Sequence, residues 1–129
     1  MNNTSELFGS VIYSYSRKQA IEDGVLIDLN AICPEECKIY KFPVACTSAV
    51  WAIVDQAVKN KRHCNDLKGV VWDMLYMSTV MKRMVSPTTA HFQVIIKGAG
   101  RRSTFTFQIV CGPGDNAEPV MTIMLPEED

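Results

Sequence analysis

The sequence lacks a charge excess of either sign and a long apolar run, and we expect no secretory leader. Its formal net charge is −1, whereas a dedicated nucleic-acid-binding domain usually carries a basic excess. No apolar stretch approaches the roughly 18 residues that a membrane-spanning helix needs. The polar residues 1–6 do not form a basic region followed by an apolar run, as a signal peptide would. We therefore expect a cytoplasmic protein without membrane contact, for which nucleic acid is the less favoured partner.

Glycine and cysteine are present, but they do not form a recognised site. The glycine pairs at 98–100 and 112–114 lie between predicted strands, whereas a phosphate-binding loop must lead into a helix. Five cysteines, an odd number without an export signal, favour reduced thiols. A zinc site built on Cys33 and Cys37 would need His63 and Cys64 as its other two ligands. These two are neighbours in sequence, which does not match the ligand spacing of zinc sites. We therefore expect no cofactor and no metal.

A cysteine-based reaction also has little local support. Cys46, His63 and Asp66 are the residue types of a nucleophile, a base and an orienting group. However, Cys46 lies in an apolar run, and the chain has no glycine elbow or oxyanion-hole motif. We expect no enzymatic activity and keep, as an alternative, a small transferase or hydrolase acting on a nucleotide or protein. The candidate residues of that enzyme are Tyr15, Arg17, Cys46 and His63.

The length of 129 residues and the 47% hydrophobic content suit one domain with an ample core. We predict a single domain over 1–129, with 1–7 and 126–129 loose. In the last third, three segments alternate apolar and polar residues and are separated by glycine-containing turns. The apolar positions predict one face of an antiparallel meander: Phe92, Val94, Ile96, Phe105, Phe107, Ile109, Met121, Ile123 and Leu125.

Two amphipathic helices are predicted before this sheet. The first is capped by Thr47 or Ser48, and the second is capped by Asn65 or Asp66 and ends at Ser86-Pro87. Further upstream we expect a strand at 9–15, a short helix after Ser16 and a strand at 25–29, with no regular structure over 30–46. The predicted fold is α+β: an antiparallel three- to five-stranded sheet with two main helices packed on one face.

The second of these helices is apolar on two sides. One stripe includes Val71 and Leu75, whereas Trp72, Tyr76 and Val80 recur at four-residue spacing on the far side. A helix of this kind is buried on both sides, or buried on one side and exposed for a partner on the other. We interpret the far side as a partner-binding face. Burial within the fold and a homodimer seam are the alternatives.

Two basic clusters flank the predicted turns, one at 59–63 and the other at 97–102. If they meet in space, they form one patch suited to phosphates or an acidic protein; otherwise they are two separate solvated loops. Tyrosine and arginine near the N-terminus are additional binding anchors, or they pack within the fold. The full set of predicted partner-binding residues is Trp72, Tyr76, Val80, Tyr13, Tyr15, Arg17, Arg62, Arg101 and Arg102.

Three segments also resemble a known group of sequences: 13–28 (YSYSRKQAIEDGVLID), 42–51 (FPVACTSAVW) and 120–129 (VMTIMLPEED). They are similar to an uncharacterised family of small proteins carried on bacterial plasmids, phages and integrated elements. The resemblance implies an accessory protein of a mobile genetic element and transfers no catalytic residue. The segment 33–37 (CPEEC) departs from the family pattern, which argues against a family-wide metal site there.

Together these features favour a small, non-enzymatic protein-binding module of a mobile genetic element. Such proteins often act on host or competitor machinery. The specific expectation is a defence inhibitor that occludes a nucleic-acid or partner site, for example in a CRISPR–Cas complex. The small enzyme described above and a self-associating accessory protein are the alternatives.

Overall fold

The computed structural model describes residues 16–128, in which short connecting segments join the helices and strands. The helices are α1 (Arg17–Glu22), α2 (Leu29–Ile32), a 3-10 turn (Glu36–Ile39), α3 (Ser48–Lys59) and α4 (Leu67–Val80). The strands are β1 (Leu26–Asp28), β2 (Val44–Thr47), β3 (Arg83–Ser86), β4 (Thr89–Ile95), β5 (Thr104–Pro113) and β6 (Pro119–Met124). The predicted strand at 9–15 and the predicted loose segment 1–7 lie outside the described residues.

The described strands form one six-stranded sheet in the order β1-β2-β6-β5-β4-β3. Strands β2 and β6 are parallel, and the other neighbouring pairs are antiparallel. The predicted α+β class is confirmed, but the prediction of a purely antiparallel sheet with three to five strands is wrong. Strand β2 lies beside β6, the last strand of the meander, and runs in the same direction, so this pair is parallel.

The predicted helix starts are confirmed by their caps. The Ser16 hydroxyl accepts a hydrogen bond from the Gln19 amide, the Thr47 hydroxyl from the Val50 amide, and the Asp66 carboxylate from the Gly69 amide. Each side chain satisfies a first-turn N–H group that has no partner within the helix.

The predicted end of the second helix, at Pro87, is wrong. Helix α4 ends at Val80, and Met81 already leaves helical geometry with φ −124° and ψ 25°. Residues Arg83–Ser86 form strand β3, because the turn at Pro87 brings them back against β4 in antiparallel register. The apolar residues of this stretch therefore pair in a sheet rather than continuing a helix.

The segment over 30–46, for which no regular structure is predicted, contains short ordered elements. Asp28 caps α2 through the amides of Asn30 and Ala31. The side-chain oxygen of Asn30 then accepts a hydrogen bond of 2.6 Å from the Val44 amide at the start of β2. Buried Cys33 and Cys37 anchor the intervening turns in the core. Tertiary contacts therefore order a stretch that has no periodic pattern of its own.

One buried cluster joins both main helices to a single face of the sheet. Val54 of α3 and Val71 of α4 pack in the same cluster as Phe92 and Phe107, whose rings meet edge to face at a centroid distance of 5.9 Å. Strand residues point alternately to opposite faces, so the buried positions of β4 and β5 identify the helix-covered face: Ala90, Phe92, Val94, Phe105, Phe107 and Ile109. The prediction that both helices pack on one face is confirmed.

Candidate functional site

The outer side of α4 carries an exposed aromatic strip, defined by Trp72, Tyr76 and Val80. Their side chains are 43%, 46% and 50% exposed. The two rings stack with centroids 5.7 Å apart and planes inclined by 27°. Residues four apart lie on the same side of a helix, so the three side chains form one continuous strip. The structure brings these three predicted residues together on the surface.

The inner side of α4 determines which residues face outward. Val71, Met74 and Leu75 are fully buried. The buried Ser78 hydroxyl lies 2.6 Å from the Leu75 carbonyl oxygen and 2.7 Å from the Tyr40 hydroxyl. Burial raises the pKa of the Tyr40 phenol, and the hydrogen bond to Ser78 partly offsets this effect. This polar contact lies on the same buried side of the helix as Val71 and Leu75, so the aromatic strip faces outward.

The exposed apolar surface continues beyond the end of α4. Met81 is 63% exposed and Met84, on β3, is 53% exposed. Of the ten large hydrophobic side chains exposed in the described part of the chain, six fall between residues 72 and 85, so this exposure is concentrated rather than scattered. We call Trp72, Tyr76, Val80, Met81 and Met84 the α4–β3 surface. Only the helical half of this surface was predictable from the sequence, because the pattern predicts that the helix continues through 83–86.

The two basic clusters meet at one end of the molecule. The Asn60 side-chain amide donates to the Gly98 carbonyl oxygen at 3.1 Å. The Asn65 side-chain amide bridges the carbonyl oxygens of Ala57 at 3.1 Å and Lys97 at 2.6 Å. These bonds join the loop after α3 to the β4–β5 hairpin tip. We call the resulting group the basic end: Lys59, Lys61, Arg62, His63, Lys97, Arg101 and Arg102.

Gly98 makes this close approach feasible. Its φ of +103° is a conformation that L side chains rarely adopt, and a Cβ atom there would lie 3.2 Å from the Asn60 Cβ and 3.3 Å from the His63 ring.

Within the basic end, Lys59 pairs with Asp55 at 3.0 Å. The other lysines and arginines of the basic end form no ion pair with any residue of 16–128. The predicted residues Arg62, Arg101 and Arg102 therefore share one surface and remain available to a partner.

Arg17 lies elsewhere and is engaged within the fold. Its guanidinium donates at 2.9 Å to the Thr122 hydroxyl and at 2.9 Å to the Met121 carbonyl oxygen. Thr122 alternates with the residues of the helix-covered face, so Arg17 lies on the opposite face of the sheet. Partial burial lowers the pKa of Arg17, while nearby carboxylates, chiefly Asp28, oppose this effect. A partner-binding role for Arg17 stays a prediction, as it does for Tyr13 and Tyr15, which lie outside the described residues.

Three of the five cysteines are core residues. Cys33, Cys37 and Cys46 are at most 1% exposed. Burial raises the pKa of Cys37 to about 11 and that of Cys46 to about 12. A thiol with such a pKa is protonated near neutral pH, and the thiolate is the nucleophilic form. His63, drawn as its base in the enzyme alternative, is exposed at the basic end. The geometry gives no support to Cys46 as a nucleophile.

Metal-ligand residues do not gather within 16–128, where no group of three histidine, cysteine or acidic residues is arranged to hold an ion. The helices of this part of the chain are also too short or too polar to cross a bilayer.

Comparison with protein families agrees with the resemblance of the three sequence segments. A family model described as a family of unknown function, DUF6573, matches residues 1–129. The chain belongs to this family. No curated protein and no solved structure matches it. The family assigns no activity, so the surfaces described above are the basis for any functional proposal.

Proposed function

We propose that the chain is a non-enzymatic protein-binding module that docks on a protein partner through the α4–β3 surface. The observation that carries this proposal is the stacked pair of Trp72 and Tyr76, nearly half exposed on a helix whose inner side is fully buried. Tryptophan and tyrosine are enriched among the residues that dominate binding energy at interfaces. Covering on the order of 100 Å² of each ring would contribute about 2.5 kcal/mol per ring at about 25 cal/mol per Å².

The charges around the surface favour a partner whose apolar patch is rimmed by carboxylates. Lys68 precedes Trp72 by one helical turn, and Lys82 and Arg83 follow Met81. None of these three cations forms an ion pair with another of the described residues. Arg62 of the basic end lies five residues before the start of α4 in the sequence. Complementary rim charges mainly accelerate association and suppress wrong partners.

The family resemblance supports a narrower form of the proposal. Small proteins of plasmids, phages and integrated elements act on host or competitor machinery. We propose that the partner is a bacterial defence complex, such as a CRISPR–Cas effector, and that docking occludes its nucleic-acid or partner site. Because a surface that binds nucleic acid is itself basic, the basic end would contact acidic residues beside such a site rather than the site itself.

The test begins with paired affinity captures from bacterial lysates, using the wild-type chain and the double variant Trp72→Ala/Tyr76→Ala as baits. A protein retained by the wild type and lost by the variant is purified, and its dissociation constant is measured by calorimetry. We expect the double variant to bind at least about 30-fold more weakly, the ratio that corresponds to a loss of about 2 kcal/mol. Phe42→Ala is the matched control, because Phe42 is an exposed aromatic outside the α4–β3 surface.

Equal weakening by Phe42→Ala, or unchanged binding by the double variant, contradicts the proposed surface.

For the narrower proposal, the chain is coexpressed with CRISPR–Cas systems, and plasmid interference is measured by transformation efficiency. Interference should fall with the wild type and persist with the double variant. Full interference in every system tested, despite a confirmed partner, rejects the CRISPR–Cas version and leaves the docking surface intact.

Self-association is the competing use of the same apolar strip. Light scattering across a concentration series separates the two, because a partner-binding module is expected to remain monomeric. A dimer that Trp72→Glu converts to a monomer would show that a second copy of the chain covers the α4–β3 surface.

A further inference from the structure

We propose that the open edge of β4 is a second binding site, at which an extended acidic segment of a partner protein pairs with the sheet. This site goes beyond the proposed function, because it uses backbone groups of β4 rather than the aromatic strip. Either site can fail without affecting the other.

Strand β3 covers only the first half of β4. Their pairing runs from Ser86 opposite Thr89 to Arg83 opposite His91. Before Arg83 the chain leaves the sheet, because Met81 still donates its amide to the Met77 carbonyl oxygen at the end of α4. The second half of β4 therefore has a strand on one side only. At about 3.3 Å per residue, four residues leave about 13 Å of uncovered edge.

The pairing with β5 shows which backbone groups point toward this edge. The Ile96 amide donates to the Ser103 carbonyl oxygen at 2.8 Å, and hydrogen-bonding groups alternate sides along a strand. The N–H and C=O groups of Gln93 and Ile95 therefore point away from β5. No residue of 16–128 forms a hydrogen bond with them. Such a row of free donors and acceptors is a template for one more strand.

A cavity of about 530 Å³ adjoins this edge. Met77 and Met81 of α4 and Phe92 of β4 are the apolar residues of its lining, and Arg83 also lines it. The lining contains no carboxylate, and Arg83 forms no ion pair within the described part of the chain. His91, also in the lining, is held at 2.9 Å from the Gln108 side-chain oxygen.

These features specify the ligand by chemistry. Only an extended backbone presents N–H and C=O groups at the spacing of a strand edge, so a helical surface does not fit. Alternate side chains of an added strand would point toward the cavity. An apolar side chain among these fits the methionine and phenylalanine wall, whereas the glutamate or aspartate next to it points to the opposite face, on which Arg83 lies opposite His91. The occupant is therefore an extended segment that carries both kinds of side chain.

The probes are capped seven-residue peptides of alternating valine and glutamate, with a valine–lysine peptide as the charge control. Binding to the full chain is followed by amide NMR shifts and hydrogen exchange. We expect the glutamate peptide to slow exchange of the Gln93 and Ile95 amides and the lysine peptide to slow it less at the same concentration. N-methylation of alternate peptide residues should abolish binding in one register only, because one set of peptide amides faces β4 and the other faces solvent.

Two variants of the chain complete the test. Ile95→Pro removes an outward N–H without removing a bond to β5, so it should abolish binding, whereas Ile95→Ala keeps the N–H and should bind. Arg83→Glu should weaken the glutamate peptide by about fivefold, the upper range for one partly exposed ion pair. The amide spectrum of each variant verifies that the fold is retained.

Three results would overturn the site. The first is protection of the Gln93 and Ile95 amides in the free chain, at low or high concentration, since the edge is then already covered. The second is equal binding of the glutamate and lysine peptides. The third is binding that survives N-methylation in both registers. A partner that still requires Trp72 and Tyr76 would leave the proposed function standing in all three cases.

Discussion

The two main helices pack side by side on one face of the sheet, yet their outer sides differ. On α3, the side away from the core carries polar residues, including Asp55 and Lys59, which pair at 3.0 Å. On α4, the same side carries the stacked Trp72 and Tyr76. The packing of α3 shows that this fold does not require an apolar outer side on its helices. The exposed rings of α4 are therefore not a requirement of this fold, which is consistent with the proposal that a partner covers them.

The largest expected difference is between the inner and outer sides of α4. Leu75→Ala, at a fully buried position, should lower the free energy of unfolding by about 2–5 kcal/mol, because it leaves a cavity in the core. Val80→Ala, at a half-exposed aliphatic position on the same helix, should lower it by less than about 1 kcal/mol. Urea unfolding measures both. Similar losses would mean that the outer side is part of the folding core.

A smaller difference is expected between two tyrosines. Tyr40→Phe removes the phenol that meets the buried Ser78 hydroxyl at 2.7 Å, so it should cost about 1 kcal/mol of unfolding free energy. Tyr76→Phe keeps the ring stacked on Trp72 and should change stability by less than about 0.5 kcal/mol. Thermal unfolding of both variants checks this. Should Tyr40→Phe prove neutral, the Ser78 contact would not be what holds the rotation of α4.

The smallest effect at neutral pH is expected from the core thiols, and it grows only in alkali. Burial raises the pKa of Cys37 to about 11 and that of Cys46 to about 12 in the folded chain. Because unfolded thiols ionise at lower pH, near their ordinary value of 9.0, the unfolded state loses its protons first. Stability should therefore be constant below about pH 8 and fall as pH rises from about 9 toward 11.

Urea midpoints measured across that range test the thiol prediction. Cys46→Ala should flatten the decline, whereas Cys64→Ala, at an exposed position, should leave it unchanged. An alkaline decline of the same slope in the Cys46 variant would assign it to other groups.

Much of the fold was predictable because its signals are local. The hydroxyl and carboxylate caps at Ser16, Thr47 and Asp66 accept hydrogen bonds from N–H groups only three residues away. Strict alternation over β4 and β5 is a period that a helix does not accommodate. The boundary between α4 and β3 was not predictable from local signals, because methionines at 81 and 84 fit a helical stripe as well as a strand. The pairing of β3 with β4, which the periodicity of the sequence does not report, decided between helix and strand.

The candidate site was predictable to a similar extent. The four-residue spacing of Trp72, Tyr76 and Val80 identified one apolar side of α4 before its surroundings were known. The open edge of β4 was not predictable, since it depends on where β3 starts relative to β4. Arg17 shows the opposite case: a residue type favoured at interfaces is bound to Thr122, more than a hundred positions away.

The amino-acid order alone determined the α+β class, the helix starts and the two-sided character of α4, because each rests on periodicity or on hydrogen bonds between near neighbours. Only the tertiary structure decided that the aromatic side of α4 faces solvent, that the two basic loops share one end, and that half of β4 stays uncovered. These outcomes depend on which elements meet. A helix with two apolar sides has no preference of its own for the side it buries until contacts with the sheet and with Tyr40 select one.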